Sequence, residues 1–229
     1  MTWPARYVRA AYIVKNMPGE TSPSPLRVLG GGLLVQISRL LKRKPVASGG
    51  VITTARLVLR PLDESDVGEI ARLAGDLDVA SMTARIPYPY TENDARQWLD
   101  GLEDGEFVRA ITATGSNDLL GITGYVPSRD ERSAEIGYWL GKPYWGRGYA
   151  TEAAGALVDY CFSVVGFEGL TCCHFSDNAG SARVIEKLGF TRKGSCQYWC
   201  EARRRKADAV YYELMRPKRS RRLFGGVKS

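Results

Sequence analysis

The sequence has few of the residues that build metal sites and disulfide frameworks. It holds one histidine, His174, and five cysteines, an odd number with no C-x-x-C spacing. A zinc set and a scaffold of paired cysteines are therefore both excluded as organising features. Free cysteines of this kind are typical of a reducing, cytoplasmic setting. The sequence predicts a cytoplasmic protein that needs no metal.

The basic residues are concentrated at the two ends of the chain. The net charge of +7 divides into +7 over residues 1–50, +6 over 216–229 and −6 over 51–215. We predict a basic N-terminal extension at 1–50, one folded domain at 51–215 and a basic C-terminal tail at 216–229. An acidic domain attracts cationic molecules, whereas basic ends suit ribosomal RNA or an anionic membrane, or simply remain solvated.

Residues 1–50 differ in composition from the rest of the chain. A basic stretch at 26–44 carries leucine and isoleucine at roughly helical spacing, but it is too short and too charged to cross a bilayer. Three interpretations stay open. The extension is disordered, it lies as an amphipathic helix on a membrane surface, or it is a non-native prefix to a start near Val51.

Within the domain, alternating apolar residues, capping residues and turn residues predict an α/β (α+β) fold. Asp63 and Thr91 have the spacing of helix N-caps. The predicted strands are 56–60, 107–113, 119–126, 134–140, 169–175, 190–199 and 207–214. The predicted helices are 63–74, 91–102, 149–164 and 179–188. This order indicates a largely antiparallel front followed by a β-α-β crossover.

A short glycine-rich loop, Gly146-Arg147-Gly148, connects the strand at 134–140 to the helix beginning near Tyr149. Main-chain N–H groups at the start of such a helix point one way, at the positive end of the helix dipole. They form an anion site suited to phosphate or pyrophosphate. Thr151 stands where a dinucleotide fingerprint requires a third glycine, so that fingerprint is excluded.

Two further patterns accompany this loop. Asn178 and Ser181 have the spacing Asn-x-x-Ser, followed by Lys-Leu-Gly-Phe at 187–190, and the domain opens with Thr-Ala-Arg-Leu-Val-Leu-Arg-Pro-Leu at 54–62. Together with the glycine loop, these resemble the GNAT superfamily of acyl-CoA N-acyltransferases, and within it the RimJ/RimL type. The resemblance covers about residues 52–215. Trp145 departs from it, standing where glutamine or arginine is commoner.

The resemblance implies the GNAT fold, with acetyl-CoA as co-substrate. Its mixed, mostly antiparallel sheet would have six to seven strands, helices on both faces and a splay between the fourth and fifth strands. The pantetheine arm would insert there, bonded by the main chain at Trp139 and Leu140 and by Asn178, which is also an ordinary helix N-cap. The pyrophosphate would lie on the loop and helix start: Gly146, Arg147, Gly148, Tyr149, Ala150 and Thr151.

Two catalytic roles follow from the same resemblance. Many members protonate the leaving thiolate with a tyrosine at the position of Ile185, whereas the RimJ/RimL type uses a serine that matches Ser181. Glu135 stands where several members carry a carboxylate that deprotonates the amine through water; otherwise it is an exposed strand residue. A protein α-amine has a pKa of about 8 and needs little base assistance.

The acceptor pocket is predicted to be walled by the loop around Tyr88 and Tyr90, by Trp98 and by Tyr138, with core packing as the alternative for these aromatic residues. The basic run at 203–206 is predicted to be a solvated hairpin turn, with contact to RNA or an acidic protein as the alternative.

We expect acetyl transfer to a primary amine by direct attack in a ternary complex, with a protein N-terminal α-amine of the ribosomal-protein kind as acceptor. One alternative acceptor is a small amine, such as an aminoglycoside, amino sugar or polyamine. Another alternative is a non-catalytic module that binds CoA or a partner. The basic ends would contact the ribosome or RNA, and the protein would be a monomer or homodimer.

Overall fold

A computed structural model describes residues 50–103 and 105–217. The helix predicted at 26–44 and almost all of the basic tail lie outside these residues. The three interpretations of residues 1–50 therefore stay predictions. Within the two described ranges, no helix is long and apolar enough to cross a membrane.

Eight strands and five α-helices make up the described part of the chain. The strands are β1 Ile52–Thr53, β2 Leu57–Arg60, β3 Phe107–Ala113, β4 Leu119–Pro127, β5 Ser133–Leu140, β6 Gly169–Phe175, β7 Thr191–Cys200 and β8 Arg205–Met215. The helices are α1 Val67–Ala74, α2 Leu77–Ala80, α3 Glu92–Asp100, α4 Tyr149–Tyr160 and α5 Ala179–Lys187.

The strands form one sheet in the order β1-β2-β3-β4-β5-β6-β8-β7. Every neighbouring pair is antiparallel except β5 and β6, which are parallel. The mixed, mostly antiparallel GNAT sheet is confirmed, with one strand more than the six to seven predicted. The additional strand is β1, which is too short at two residues to show a periodic pattern.

Helices cover both faces of the sheet because neighbouring residues of each strand point to opposite sides. In β3, Ala110 packs with α1 and α3, whereas Ile111 packs in a separate cluster with Ala153 of α4. Helix α5 joins the α4 side, where Ile185 is 1% exposed. The two helical layers therefore lie on opposite faces, as predicted.

The predicted N-caps are present, and each is a capping box. Asp63 and Asp66 exchange side-chain to backbone bonds before α1, and Thr91 and Asp94 do the same before α3. Caps of this kind are worth about 1 kcal/mol each. Helix α3 stops at Asp100, two residues before the predicted end, and the helix predicted over 149–164 turns into a π-helical segment at Cys161–Val165.

Candidate active site

The sheet opens between β5 and β6. Their pairing covers Ser133 to Glu135 against Gly169 to Thr171 and then stops, although β5 runs on to Leu140 and β6 to Phe175. In the order of the predicted strands, 134–140 is the fourth and 169–175 is the fifth. The predicted splay between these two strands is therefore confirmed. A cavity of about 820 Å³ lies at this opening. Its lining includes all the predicted site residues except Tyr88 and Arg147.

The glycine loop forms one end of this cavity. Gly146 and Gly148 have φ angles of +74° and +80°, which lie in the left-handed region that favours glycine. Gly148 is the N-cap of α4, and no side chain caps the helix. Tyr149, Ala150 and Thr151 line the cavity, so their end of the helix faces it. The arrangement can hold an anion on main-chain N–H groups.

Arg147 contributes to the loop through its main chain. Its side chain is exposed and does not line the cavity, and its carbonyl oxygen accepts a hydrogen bond from Arg56 Nη1 at 3.1 Å. Arg56 also binds Glu152 in the first turn of α4. The sequence patterns gave no sign of this contact, because Arg56 lies 91 residues before Arg147.

The end of β5 lines the cavity, and its last two side chains point to opposite faces of the sheet. The side chain of Trp139 packs toward the α1 and α3 layer, and that of Leu140 packs toward α4. Trp145, 44% exposed, donates from Nε1 to the Leu140 carbonyl oxygen at 2.7 Å. The residue that departs from the family pattern is therefore bonded to the strand predicted to hold the pantetheine arm.

Helix α5 brings Asn178 and Ser181 to the opposite side of the splay. The Asn178 Oδ1 atom accepts from the Ser181 backbone N–H at 2.9 Å, the bond of an N-cap. The Ser181 hydroxyl lies 2.9 Å from the Tyr138 hydroxyl of β5. Ile185, where many members have the acidic tyrosine, is buried in the core. The hydroxyl groups near the cavity at this point are therefore Ser181 and Tyr138.

Tyr138 was predicted to wall the acceptor pocket, and its hydroxyl instead faces Ser181. Burial raises the pKa of the Tyr138 phenol well above its usual value, although the bond to Ser181 opposes the rise. The phenol therefore keeps its proton at neutral pH. It can orient the serine hydroxyl by donating to it, which leaves the serine proton directed elsewhere.

Glu135 of β5 and Cys173 of β6 both line the cavity. They lie close together, where the three residue pairs that join the two strands end. The Cys173 thiol donates to Glu135 Oε1 at 3.9 Å. Burial first, and then the charge of Glu135, raise the pKa of the Cys173 thiol well above its usual range. Cys173 is therefore a neutral neighbour of the carboxylate and not a nucleophile.

The aromatic residues predicted for the acceptor side differ in their position relative to the cavity. Trp98 lines the cavity and is 4% exposed, packed among core residues of α1 and α3. Tyr88 does not line it and is 43% exposed. Tyr90, two residues later, is buried and lines the cavity in its place. Only one of the two tyrosines packs inward, and their shared Pro-Tyr pattern could not tell them apart.

The segment after α2 also lines the cavity, from Met82 to Ile86. Arg203 holds it in place from the turn between β7 and β8. Its Nε donates to the Ser81 carbonyl oxygen at 2.7 Å, and its Nη1 contacts Asp177 at 2.7 Å. The guanidinium also lies 5.0 Å from the ring centroid of Phe175. Arg203 is therefore internal, in contrast to the solvated turn predicted for this basic run.

Replacing Arg203 with glutamine is expected to lower the free energy of unfolding by about 1–2 kcal/mol. The side chain is 12% exposed, so its lost hydrogen bonds are not replaced fully by water. The hydrogen bond from Arg203 also lowers the pKa of Asp177, so the Asp177 carboxyl is ionised at neutral pH. Urea denaturation measures the change. Arg204→Gln is the matched control, because that neighbouring side chain is exposed, and an equal loss there would contradict the prediction.

A sheet splayed at this place, with a glycine loop and a helix start at its mouth, is typical of enzymes that take an acyl group from CoA. The sequence profile of the acetyltransferase (GNAT) domain matches residues 56–191, more than half of the chain. The chain therefore belongs to the GNAT acetyltransferase family. It is an N-acetyltransferase, and acetyl-CoA is its co-substrate.

Relatives and solved structures agree with this family. The chain is 26% identical over 178 residues to the uncharacterised N-acetyltransferase YoaA of Bacillus subtilis, covering 73% of this chain and 98% of that one. A GNAT-family acetyltransferase structure from Bacillus anthracis has a TM-score of 0.64 at 26% identity, covering 73% and 99%. RimL, the ribosomal L7/L12 α-N-protein acetyltransferase in complex with CoA, has a TM-score of 0.64 at 20% identity, covering 72% and 98%, and shows the fold alone.

Proposed function

We propose that this enzyme transfers the acetyl group from acetyl-CoA directly to a protein or peptide N-terminal α-amine, in a ternary complex. The observation that carries the proposal is one continuous cavity at the splay. It is bounded by the glycine loop, by the Ser181 and Tyr138 hydroxyl pair, and by the Glu135 carboxylate. These are the three functions that thioester aminolysis requires: a grip on CoA, a proton for the thiolate and a base for the amine.

The CoA end of the cavity is assigned to main chain. The pyrophosphate lies on the N–H groups from Gly146 to Thr151, and the pantetheine arm runs along Trp139 and Leu140 toward Asn178. A main-chain donor on β5 binds the thioester oxygen as it becomes an oxyanion. Such donors commonly contribute about 10²–10³ in rate. The support is the absence of side-chain capping at Gly148 and the end of β5–β6 pairing after Glu135.

The proton for the departing thiolate comes from Ser181. As the C–S bond breaks, the Ser181 hydroxyl gives its proton to the sulfur and regains one from solvent. Tyr138 is a positioning residue in this step, because its raised pKa keeps it a hydrogen-bond donor to the serine. The 2.9 Å contact between the two hydroxyl groups supports this assignment.

Glu135 is assigned as the base that takes the amine proton, through water. Carboxylates in partly buried clefts are suited to this role. Its support is its position on the cavity wall, beside the Cys173 thiol. With an α-amine acceptor, which is already partly neutral at pH 7.5, the step requires little assistance. Loss of Glu135 therefore affects this acceptor less than a strongly basic one.

The charges of the cavity favour an acceptor with a single amine. Its charged lining residues are two acids and three cations: Glu135, Asp177, Arg85, Arg183 and Lys187. Asp177 is already paired with Arg203. A polyamine would therefore meet more positive than negative charge. The net negative charge of residues 51–215 therefore comes from residues that do not line the cavity.

The acceptor side is also largely apolar. Most of the residues that line it from α1, α2, α3 and the segment between α2 and α3 are apolar or aromatic, with Thr83 and Arg85 as the exceptions: Ile70, Ala74, Val79, Met82, Ala84, Ile86, Tyr90 and Trp98. An α-amine followed by an uncharged peptide fits this lining better than an aminoglycoside, which carries several cationic groups and hydroxyls. A small amine with an apolar body fits it as well and is the second candidate.

A thiol-release assay with acetyl-CoA and the full-length protein tests the acceptor class. Short peptides beginning with Ala or Ser are compared with the same peptides blocked at the N-terminus, with aminoglycosides and with polyamines. We expect turnover of the free peptides and none of the blocked ones. Turnover confined to the small amines would overturn the peptide proposal and leave the second candidate.

A further inference from the structure

Arg56 links the first long strand of the domain to the glycine loop. Its Nε donates to Glu152 Oε2 at 2.7 Å, and its Nη1 donates to the Arg147 carbonyl oxygen at 3.1 Å. Its guanidinium also lies 4.8 Å from the ring centroid of Tyr149. One side chain therefore touches the loop, the first residue of α4 and a carboxylate one turn into that helix.

Glu152 presents a negative charge at the helix end where the pyrophosphate is proposed to bind. Its Oε1 atom accepts from the Thr54 hydroxyl at 2.6 Å and from the Arg56 backbone N–H at 2.9 Å. Partial burial opposes ionisation, but the bonds from Thr54 and Arg56 outweigh it and lower the pKa of Glu152. The carboxylate is therefore ionised at neutral pH and would repel a second anion nearby.

We infer that Arg56 is a positioning residue for CoA binding, which acts by neutralising Glu152 and by holding the Arg147 carbonyl oxygen. Glu152 does not itself line the cavity, so neutralisation removes a repulsive charge from the first turn of α4, next to Thr151, which does line it. The bond to Arg147 keeps the loop in the form that leaves N–H groups on the cavity side. The inference rests on the proposed placement of the pyrophosphate at this loop.

A purely structural role explains the arrangement less well. The Arg56 side chain is 50% exposed and that of Glu152 is 18% exposed, so water screens this ion pair in part and reduces its contribution to stability. The chain has other exposed pairs of this kind, such as Arg132 with Glu168, and that pair touches no part of the cavity lining. What distinguishes Arg56 is its contact with the anion-binding loop.

The test measures the dissociation constant of CoA by calorimetry on the full-length protein. Replacing Arg56 with glutamine leaves Glu152 uncompensated, and we expect CoA to bind about tenfold more weakly. Adding Glu152→Gln removes the repulsive charge, and we expect the double variant to return to within about threefold of wild type. If Arg56 only stabilised the fold, the double variant would bind CoA no more tightly than Arg56→Gln alone.

Arg132→Gln is the matched control, because it breaks an arginine–glutamate pair that lies away from the cavity and is more exposed, at 68% and 56%, and its CoA affinity should stay unchanged. Turnover of S-acetyl-pantetheine, which lacks the pyrophosphate, should be equal in wild type and Arg56→Gln. An Arg56→Gln affinity within twofold of wild type, or no recovery in the double variant, would overturn the inference. The primary measurement is CoA binding, so this test of Arg56 can be read even if the enzyme turns over none of the amines tried.

Discussion

Replacing Ser181 with alanine is expected to lower kcat about 100-fold or more, because proton transfer by a positioned side chain contributes about 10²–10⁴ in rate. The KM for acetyl-CoA should change less than twofold. The helix cap survives the substitution, since Asn178 accepts from the backbone N–H of Ser181 and not from its hydroxyl. Steady-state thiol release at saturating amine measures both constants.

Two further variants make this prediction specific. Tyr138→Phe removes the partner hydroxyl at 2.9 Å but leaves the serine, so kcat should fall by about tenfold only. Ser163→Ala is the matched control, because that exposed serine bonds the Asp159 carbonyl oxygen at the far end of α4 and does not line the cavity. A Ser181→Ala enzyme with kcat within threefold of wild type would exclude the serine as proton donor.

Replacing Gly148 with alanine is expected to raise the KM for acetyl-CoA about 10- to 100-fold. At φ +80° a non-glycine residue is strained by about 1–2 kcal/mol, which would disturb the loop whose backbone N–H groups are proposed to hold the pyrophosphate. The added carbon itself meets only Arg56 Nη2, at an ordinary contact distance of 3.4 Å, so the chain should still fold. Titration of acetyl-CoA at fixed amine gives the KM.

Gly115 provides the comparison that separates strain from ligand binding. It has a φ of +82° in the turn between β3 and β4, has open space around it and does not line the cavity. Gly115→Ala should therefore lose similar stability in thermal unfolding while keeping the wild-type KM. Equal KM values in the two variants would show that Gly148 has only a conformational role.

Local chemistry explains which features were predictable from the sequence. The two capping boxes, the glycine loop and the start of α5 each lie within a few adjacent residues, where spacing alone fixes which groups meet. The strand boundaries also follow from alternation, and Phe107–Ala113 and Gly169–Phe175 match their predicted limits. Apolar periodicity reports burial directly, so the strands of the sheet were accessible from the residues, whereas the splay was predicted from the resemblance to the GNAT family.

Contacts between distant segments explain what could not be predicted. The approach of Tyr138 to Ser181 spans 43 residues, and the bond from Arg203 to Ser81 spans 122. Both depend on how the loops pack over the sheet, which no local pattern encodes. The different positions of Tyr88 and Tyr90 have the same origin, because two tyrosines in one loop share a composition and differ in which one is buried.

The three-residue seam between β5 and β6 also bears on the lifetime of the protein. Residues 169–215 form the whole sheet beyond it, so the two halves of the sheet share little direct pairing. A co-substrate lying along the open edges would act as a missing strand and bind only the folded chain. At a hundredfold excess over its Kd it would add about 2.7 kcal/mol to stability. Depletion of acetyl-CoA would then expose the enzyme to proteolysis, so its abundance would follow the metabolic supply of its own substrate.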